Sequence, residues 1–359
     1  MNLPTRLQPI PLNSDTESKP TAAMRQAIAS AEVGDEQRGE DPTVNLLQER
    51  VAQLLGKESA LWFPGGTMCN FVAIKVHTQP ADAVIADGMA HIIRAESGGV
   101  SFSSRVLVEG IPTERGIFTP DALSQALARL KTVPSPYGPV ARLLCVEQTH
   151  NFGGGTLWSL AELKAVAEAA RAEGLAVHMD GARLFNACIA SGVSAAQFSA
   201  LVDSLWIDFT KGLGAPIGAM LAGSKEFIAQ ARRYKHVFGG AMRQAGIAAA
   251  GCLHALDHHV HRLAEDHANA RRLADGLARI PGVRLTTPLP ETNMVFFDMG
   301  GTGLSNEQVV TALAGRGVRV GQVRGLIRAV THLDVSRSDI ETTLSAVADI
   351  VSNSAPGHE

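Results

Sequence analysis

The stretch SLWIDFTKGLGAPIGAMLAG, residues Ser204 to Gly223, decides the fold prediction. An apolar run leads to Thr210 and Lys211, a turn rich in glycine follows, and a second apolar run begins. This pattern predicts a buried β-turn-β element with one lysine at its tip. A lysine among apolar neighbours is most useful as an amine that forms an imine with a carbonyl group. The alternative interpretation is a surface-loop lysine.

The stretch LAVHMDGARLFN, from Leu175 to Asn186, predicts a second buried strand that ends at Asp180. Ligands of open α/β sheets bind at the carboxyl ends of strands. A carboxylate at one strand end and Lys211 after the next suit pyridoxal 5'-phosphate (PLP). The lysine would form the Schiff base, and the carboxylate would keep the ring nitrogen protonated. A helix N-cap is the alternative role for Asp180.

Other candidate residues follow predicted strands. A glycine turn before a helix, PGGT, holds Gly66 and Thr67 and predicts a phosphate site made of free backbone N–H groups. His91 lies after a strand that ends at Asp87, where its ring could stack on a pyridine ring. His150 follows the apolar run VARLLCV. The alternation of strands and helices indicates an α/β fold with a mostly parallel sheet.

The chain divides into two predicted domains. Residues 1–250 form an N-terminal arm and a PLP-binding large domain, and residues 251–359 form a linking helix and a small α+β C-terminal domain. Residues up to about Lys19 look extended and poorly packed. Arg328, in the last predicted strand, could bind an amino acid's carboxylate with two hydrogen bonds. The alternative is a surface ion pair.

Composition limits the class of function. The chain has 359 residues, is 45% hydrophobic and carries a net charge of −3, so it offers no basic field for nucleic acid. No stretch is long and apolar enough to span a membrane. Four separated cysteines and an N-terminus without a signal-peptide pattern predict a reduced, cytoplasmic protein. His254, His258 and His261 have a spacing that a metal could use, but we interpret them as a solvated helix face and predict no metal.

Motifs along nearly the whole chain resemble those of PLP-dependent threonine aldolases of the L-specific, low-specificity type. They are SDT (from Ser14), KPTAAMRQA, EVGDEQRGEDPTVNLLQE, FPGGTMCN, the His91 segment through SGG, EQTHNFGGGT, HMDGARLFNA, TKGLGAPIGAML, GGAMRQAG, ETNMVFFD and IRAVTHLDVS. The resemblance implies a fold-type I PLP enzyme, transferase-like in its large domain. It also implies a homotetramer built of dimers, with each active site at a subunit interface and a small amino acid as substrate.

The same resemblance assigns roles by position. Lys211 would carry the cofactor, Asp180 would hold the ring nitrogen, His91 would stack on the ring, and His150 would meet the substrate hydroxyl, directly or through a water. The remaining roles are these: Gly66 and Thr67 bind the phosphate with Arg243 of the neighbouring subunit, Arg183 contacts the ring hydroxyl and the substrate, and Ser14 with Arg328 holds the carboxylate.

Three positions depart from the family pattern. Arg38 stands where a tyrosine is usual, His236 where a lysine is frequent, and Asn13 where an arginine is usual. We expect Arg38 to alter recognition of the substrate side chain, although a solvent-facing arginine is an equally simple interpretation.

The predicted reaction is cleavage of L-threonine, L-allo-threonine or a related β-hydroxy-α-amino acid to glycine and an aldehyde. Because a fold does not fix a function, two alternatives remain. One is another PLP reaction on the same scaffold, β-elimination or transamination, and the other is a PLP-binding protein without catalysis.

Overall fold

The computed structural model describes residues 9–133, 136–287 and 289–353, so the first eight residues of the predicted arm lie outside the described residues. In chain order the strands are β1 (Ile10–Leu12), β2 (Ser59–Phe63), β3 (Asp82–Asp87), β4 (Leu107–Ile111), β5 (Val140–Glu147), β6 (Ala176–Gly181), β7 (Ser204–Asp208), β8 (Ala219–Gly223), β9 (Arg284–Leu285), β10 (Met294–Asp298), β11 (Val318–Val323) and β12 (Leu326–Val330).

Helices connect most of these strands. They are α1 (Ala22–Ala29), α2 (Pro42–Leu55), α3 (Gly66–His77), α4 (His91–Arg94), α5 (Gly99–Ser104), α6 (Pro120–Leu130), α7 (Leu160–Ala172), α8 (Leu184–Ser191), α9 (Ala195–Ser199), α10 (Lys225–Val237), α11 (Gly246–His258), α12 (Leu263–Leu277), α13 (Asn306–Gly315) and α14 (Arg337–Ser352). Short 3-10 turns cover Asp15–Glu17, Glu36–Arg38 and Gly300–Thr302.

The first compact unit, Pro20–Val260, contains a seven-stranded sheet of order β2-β8-β7-β6-β5-β3-β4. β8 runs antiparallel to both of its neighbours, and the other pairs are parallel. The predicted mostly parallel sheet is therefore confirmed. The β-turn-β element is also confirmed, because β7 and β8 pair and Lys211 lies in their connection.

Local sequence explains these elements. The central strands β7 and β8 are buried along their whole length, as their apolar runs require. Helix α2 begins after Asp41, whose carboxylate accepts from the backbone N–H of Val44, and ends at Gly56 in the left-handed conformation. Helix α7 begins with a capping box made by Ser159 and Glu162.

The second unit joins the chain up to Lys19 to the chain from His261 onward. Its sheet has the order β1-β11-β12-β10-β9, and apolar side chains of the sheet and of α12 to α14 form its core. Strand β1 pairs in parallel with β11, and Ile10 and Leu12 are buried. This part of the arm is thus packed in the unit that holds the C-terminal residues, whereas the sequence suggested a poorly packed segment of the large domain.

The predicted linking helix corresponds to two helices, α11 and α12. Helix α11 ends at His258, and His259 turns its Nδ1 to the carbonyl oxygen of Leu213 at 2.7 Å. None of the helices in the described part of the chain combines the length and hydrophobicity needed to cross a membrane. All four cysteines are free thiols.

Candidate active site

Strand register places three residues side by side on neighbouring strands of the first unit. Glu147 of β5 lies opposite Asp180 of β6, and Asp180 lies opposite Trp206 of β7. All three residues are buried. Glu147 and Asp180 stand at the carboxyl ends of parallel strands, the edge at which open α/β sheets bind ligands, and Trp206 lies two residues before the end of β7.

Lys211 follows β7 by three residues. Its Nζ forms an ion pair with the carboxylate of Asp208 and lies 5.5 Å from the centroid of the Trp206 ring. The side chain is 17% exposed, so the amine is mostly buried but still open to a small molecule. An amine attacks an aldehyde only as the free base. The ion pair with Asp208 holds the amine beside the indole ring.

Asp180 lies at the centre of a buried polar cluster. Its Oδ2 accepts a hydrogen bond from Asn70 Nδ2 at 2.9 Å, and its Oδ1 accepts one from the backbone N–H of Ala182 at 3.0 Å. Burial, reinforced by the charge of Glu147, raises the pKa of Asp180 to about 6. A cation bound against this carboxylate would lower that pKa again, and a protonated ring nitrogen is such a cation.

His91 begins the short helix α4 and is held at two points. Its backbone N–H donates to Glu147 Oε2 at 2.8 Å, and its Nδ1 lies 2.9 Å from Glu96 Oε1. Burial lowers the pKa of His91, but the hydrogen bond to Glu96 and the charges of Asp180 and Glu147 outweigh it, so the pKa is raised overall. About a third of the side chain (35%) is exposed and can contact a bound ring.

The predicted phosphate turn opens helix α3. Gly65 has an extended backbone and provides no side-chain cap, so the first N–H groups of the helix are free for an anion. A Cβ on Gly66 would lie 2.1 Å from Trp206 Cη2, so only glycine fits against that ring. Thr67 is exposed at the same helix end. The turn therefore lies against the indole that also underlies Lys211.

His150 is buried with both ring nitrogens facing protein groups. Nδ1 accepts from the backbone N–H of Gly153 at 3.0 Å, and Nε2 lies 3.0 Å from Asp87 Oδ1. Burial lowers the pKa of His150, but Glu147 and Asp87 raise it by more. The Gly153 N–H points at Nδ1, whereas Nε2 makes no hydrogen bond among the described residues although Asp87 lies 3.0 Å away. The ring is 1% exposed, and this geometry leaves little room for direct contact with a substrate.

Three arginines of the first unit occupy different settings. Arg183 is buried at the N-cap position of α8, directly after β6. Arg243 and Arg38 are exposed and share one carboxylate, because Asp35 Oδ2 is 2.8 Å from Arg243 Nη1 and 3.8 Å from Arg38 Nε. The structure thus brings the segments of Arg38 and Arg243 together at Asp35.

Ser14 and Arg328 both belong to the second unit. Arg328 Nη2 donates to the backbone carbonyl oxygen of Asn13 at 3.1 Å, next to Ser14 in the chain. Ser14 Oγ accepts from the backbone N–H of Thr16 at 3.2 Å and caps a 3-10 turn. These contacts bring the serine segment to the arginine, as a shared carboxylate site needs.

The residues of the first unit fit PLP. A primary amine, a carboxylate for the ring nitrogen and an uncapped helix N-terminus converge on Trp206, and Gly66 leaves a cradle that a Cβ would fill. His91, Glu96 and Asp180 also have ligand atoms within 4.8 Å of one another, a spacing that a metal could use. In the described ranges this is the one such group, and it does not include the histidines of α11.

Sequence reasoning missed several residues of this cluster. Glu147 and Asp208 end strands β5 and β7, so the strand-end argument that found Asp180 could have found them. Glu96 gave no such signal. Asn70 is a single polar residue in the apolar run MCNFVAI, and this placement was the available clue; the structure buries it completely.

Comparison with known proteins agrees with this geometry. A family model described as "Beta-eliminating lyase" matches residues 11–300. The chain is 38% identical to low-specificity L-threonine aldolase 1 of Arabidopsis thaliana, covering 94% of this chain and 95% of that protein. It is 37% identical to low specificity L-threonine aldolase of Escherichia coli strain K12, with 92% and 96% covered. The solved structure of Leishmania major threonine aldolase matches with a TM-score of 0.81 at 21% identity, covering 94% of this chain and 98% of that one.

The fold and its strand-end site define a lyase scaffold of fold type I, as predicted. The chain belongs to the beta-eliminating lyase family. The resemblance to low-specificity threonine aldolases is confirmed over nearly the full length.

Proposed function

We propose that this chain is a carbon–carbon lyase that uses PLP to cleave β-hydroxy-α-amino acids such as L-threonine and L-allo-threonine into glycine and an aldehyde. One observation carries the proposal. Lys211 lies over the Trp206 ring, the indole N–H of Trp206 donates to Asn70, and Asn70 donates to Asp180. An imine-forming amine and a ring-nitrogen partner thus belong to one connected site. The names of the relatives, L-threonine aldolases, support the choice of reaction.

PLP, when bound, supplies an electron sink for the carbanion left at Cα. The chain provides the groups around it. Lys211 would hold the cofactor through its amine, which the ion pair with Asp208 positions. Asp180 would keep the ring nitrogen protonated, and His91 would stack on the ring. Gly66 and Thr67 bind the phosphate through the first turn of α3.

Two further arginines complete the cofactor site. Arg183, buried after β6, contacts the ring hydroxyl and the substrate. Arg243, exposed at 61% in the single chain, reaches the phosphate of a neighbouring subunit. That role requires an oligomer.

The remaining residues act on the amino acid. Ser14 and Arg328 hold its carboxylate, which fixes the direction of the Cα–Cβ bond. The β-hydroxyl loses its proton, the Cα–Cβ bond breaks, the aldehyde leaves, and a proton added at Cα gives glycine. His150 Nε2 makes no hydrogen bond among the described residues, and its ring is 1% exposed, so we assign His150 to orient a water that takes the hydroxyl proton and passes it to the ring.

Arg38 is the proposed determinant of the β-substituent. Its side chain is 73% exposed and lies 3.8 Å from Asp35, the residue that also binds Arg243. An arginine there favours an acidic or polar substituent. We expect Arg38→Tyr to lower β-hydroxyaspartate turnover relative to threonine turnover, and Arg279→Tyr, at an exposed position, to leave the ratio unchanged. An unchanged ratio in Arg38→Tyr would show that Arg38 only faces solvent.

We also propose that the chain assembles into a homotetramer built of dimers. We expect this tetramer to work in a reducing, cytoplasmic compartment. Val237, Met242 and Ile247 are exposed by 66%, 38% and 52%, and they flank Arg243. Exposed apolar side chains near one another in the chain support an interface with a second copy. Four free thiols suit a reducing compartment. Light scattering on the purified chain tests the oligomer, and a monomer with full activity would contradict it.

Product analysis tests the reaction. The purified enzyme is given L-threonine, L-allo-threonine, L-phenylserine and β-hydroxyaspartate, and glycine, aldehyde, ammonia and keto acid are measured. We expect glycine and aldehyde in equal amounts. The family description favours one alternative, elimination, which would give ammonia and a keto acid instead. Bound cofactor without any product would indicate a PLP-binding protein.

A further inference from the structure

Asn70 is a buried amide in helix α3 whose four hydrogen-bonding positions are all directed at the site. Its Nδ2 donates to Asp180 Oδ2 at 2.9 Å and to Glu96 Oε1 at 2.7 Å. The sequence offers no role for it, and it does not belong to the strand ends that supply the carboxylates. Its side chain is 0% exposed.

The orientation of this amide is fixed by a group that can only donate. The indole Nε1–H of Trp206 donates to Asn70 Oδ1 at 2.8 Å. An indole nitrogen cannot accept a hydrogen bond, so the oxygen of Asn70 must face Trp206 and its two N–H bonds must face the carboxylates. His178 Nε2, 3.4 Å from the same oxygen, agrees with this orientation.

Through Glu96 the amide also reaches the predicted stacking ring. Glu96 Oε1, which accepts from Asn70, lies 2.9 Å from His91 Nδ1. The carboxylate of Glu96 is buried, with 0% of its side chain exposed. Asn70 therefore contacts both the ring-nitrogen partner, Asp180, and Glu96, the residue that holds the His91 ring.

We propose that Asn70 is a positioning residue that holds Asp180 ionised and fixes its place relative to the His91–Glu96 pair. A protonated cofactor ring would then be held at its nitrogen by Asp180 and at its face by His91. This inference rests on the proposed function. Asn70 acts through Asp180 and Glu96, because it contacts carboxylates that themselves face the ring. Charge-assisted hydrogen bonds of this kind are stronger than those between neutral groups.

Removing the amide changes the charge balance of Asp180 in a definite direction. Burial and the charges of Glu147 and Glu96 raise the pKa of Asp180. The charge of His91 and the hydrogen bond from Asn70 lower it. Burial raises the pKa of the Cys69 and Cys145 thiols, and the charge of Asp180 raises both further. Without Asn70 the pKa of Asp180 rises further, so the carboxylate picks up its proton at a higher pH.

The test compares PLP affinity and its pH dependence in wild type, Asn70→Ala and the control Asn269→Ala. Asn269 is a buried amide of the second unit, where its Nδ2 donates to the Val335 carbonyl oxygen at 3.0 Å. We expect Asn70→Ala to bind PLP about tenfold more weakly at neutral pH, the scale of one charge-assisted hydrogen bond. We also expect its loss of affinity on acidification to begin at higher pH than in wild type. Asn269→Ala should keep both wild-type properties.

Each outcome decides one claim. An Asn70→Ala protein with the affinity and pH profile of Asn269→Ala would overturn the positioning role. Should Asn70→Ala fail to fold, Asn70→Ser takes its place, because the hydroxyl can donate one of the two bonds, and an intermediate affinity is expected. A wild type that does not bind PLP would instead overturn the proposed function. In holoenzyme assays with threonine, Asn70→Ala should lower kcat more than it raises KM.

Discussion

Replacing Gly66 by alanine tests the packing that forms the phosphate turn. The new Cβ would lie 2.1 Å from Trp206 Cη2 and 2.3 Å from Cζ3. Carbon atoms pack favourably at about 3.5 to 4.0 Å, so either the indole or the turn must move by about 1.5 Å. Trp206 is 3% exposed, and its N–H is bound to Asn70, so it cannot move freely. Overpacking of this kind costs about 1 to 3 kcal/mol.

The neighbouring glycine provides the matched control. A Cβ on Gly65 meets nothing within 4 Å, and its φ of −165° is extended backbone that alanine adopts without strain. In urea unfolding of the cofactor-free protein we expect Gly66→Ala to lose about 1 to 3 kcal/mol and Gly65→Ala to lose less than about 0.5 kcal/mol.

PLP binding gives the second measurement on the same pair. Displacement of the indole in Gly66→Ala disturbs the contact beneath Lys211 and the first turn of α3, so PLP affinity should fall along with stability. If Gly66→Ala is as stable as Gly65→Ala and binds PLP like wild type, the close contact between Gly66 and Trp206 is not the constraint described here.

Two other substitutions test buried charges. Lys235, 0% exposed, pairs with Glu36 at 2.6 Å, and Lys235→Met should destabilise the fold by about 3 to 5 kcal/mol because Glu36 stays buried without its cation. By contrast, Arg50→Met breaks the exposed pair with Asp257 and should cost at most about 1 kcal/mol in the same urea titration; equal losses would contradict the argument. Asp180→Asn should stabilise the cofactor-free protein at pH 7 while weakening PLP binding. The folded-state pKa of Asp180 is raised from 3.8 to about 6, so the wild-type carboxyl favours the fold at low pH and loses that contribution as pH rises through 6. Calorimetry should therefore show the stability difference between Asp180→Asn and wild type shrinking as the pH falls from 6 to 4, and a constant difference over that range would refute the raised pKa.

Local patterns were enough for the parts of the fold and site that depend on neighbouring residues. The apolar runs before Asp180 and Lys211 predicted their strands, and parallel strands bring their carboxyl ends to one edge. The glycine turn at Gly66 likewise predicted a helix N-terminus. In each case the deciding information lay within a few residues of the side chain.

Tertiary contacts between distant residues could not be predicted in this way. Asn70 bonds to Glu96 and Asp180, which are 26 and 110 residues away in the chain, and no local pattern encodes such a pairing. Strand β1 has three residues, and its partner β11 lies some 300 residues further on. The end of α11 depends on the contact of His259 with the Leu213 carbonyl.

His150 illustrates how packing changes an assigned role. Its place after β5 suggested direct contact with the substrate hydroxyl. In the folded chain the ring is buried between Gly153 and Asp87 with 1% of its side chain exposed, and this burial is the reason for proposing that a water carries the proton to Nε2. A pH profile of kcat in His150→Phe, compared with wild type, measures that role: loss of one ionisation with PLP still bound is expected.

Glycine release from L-threonine by wild type and by Lys211→Ala, each supplied with PLP, tests the central claim most directly. Lys225→Ala, which removes an exposed lysine fourteen residues further on, is the control. The account predicts glycine and acetaldehyde in equal amounts from wild type and Lys225→Ala, and loss of nearly all turnover in Lys211→Ala. Glycine formation by Lys211→Ala at the wild-type rate would contradict it.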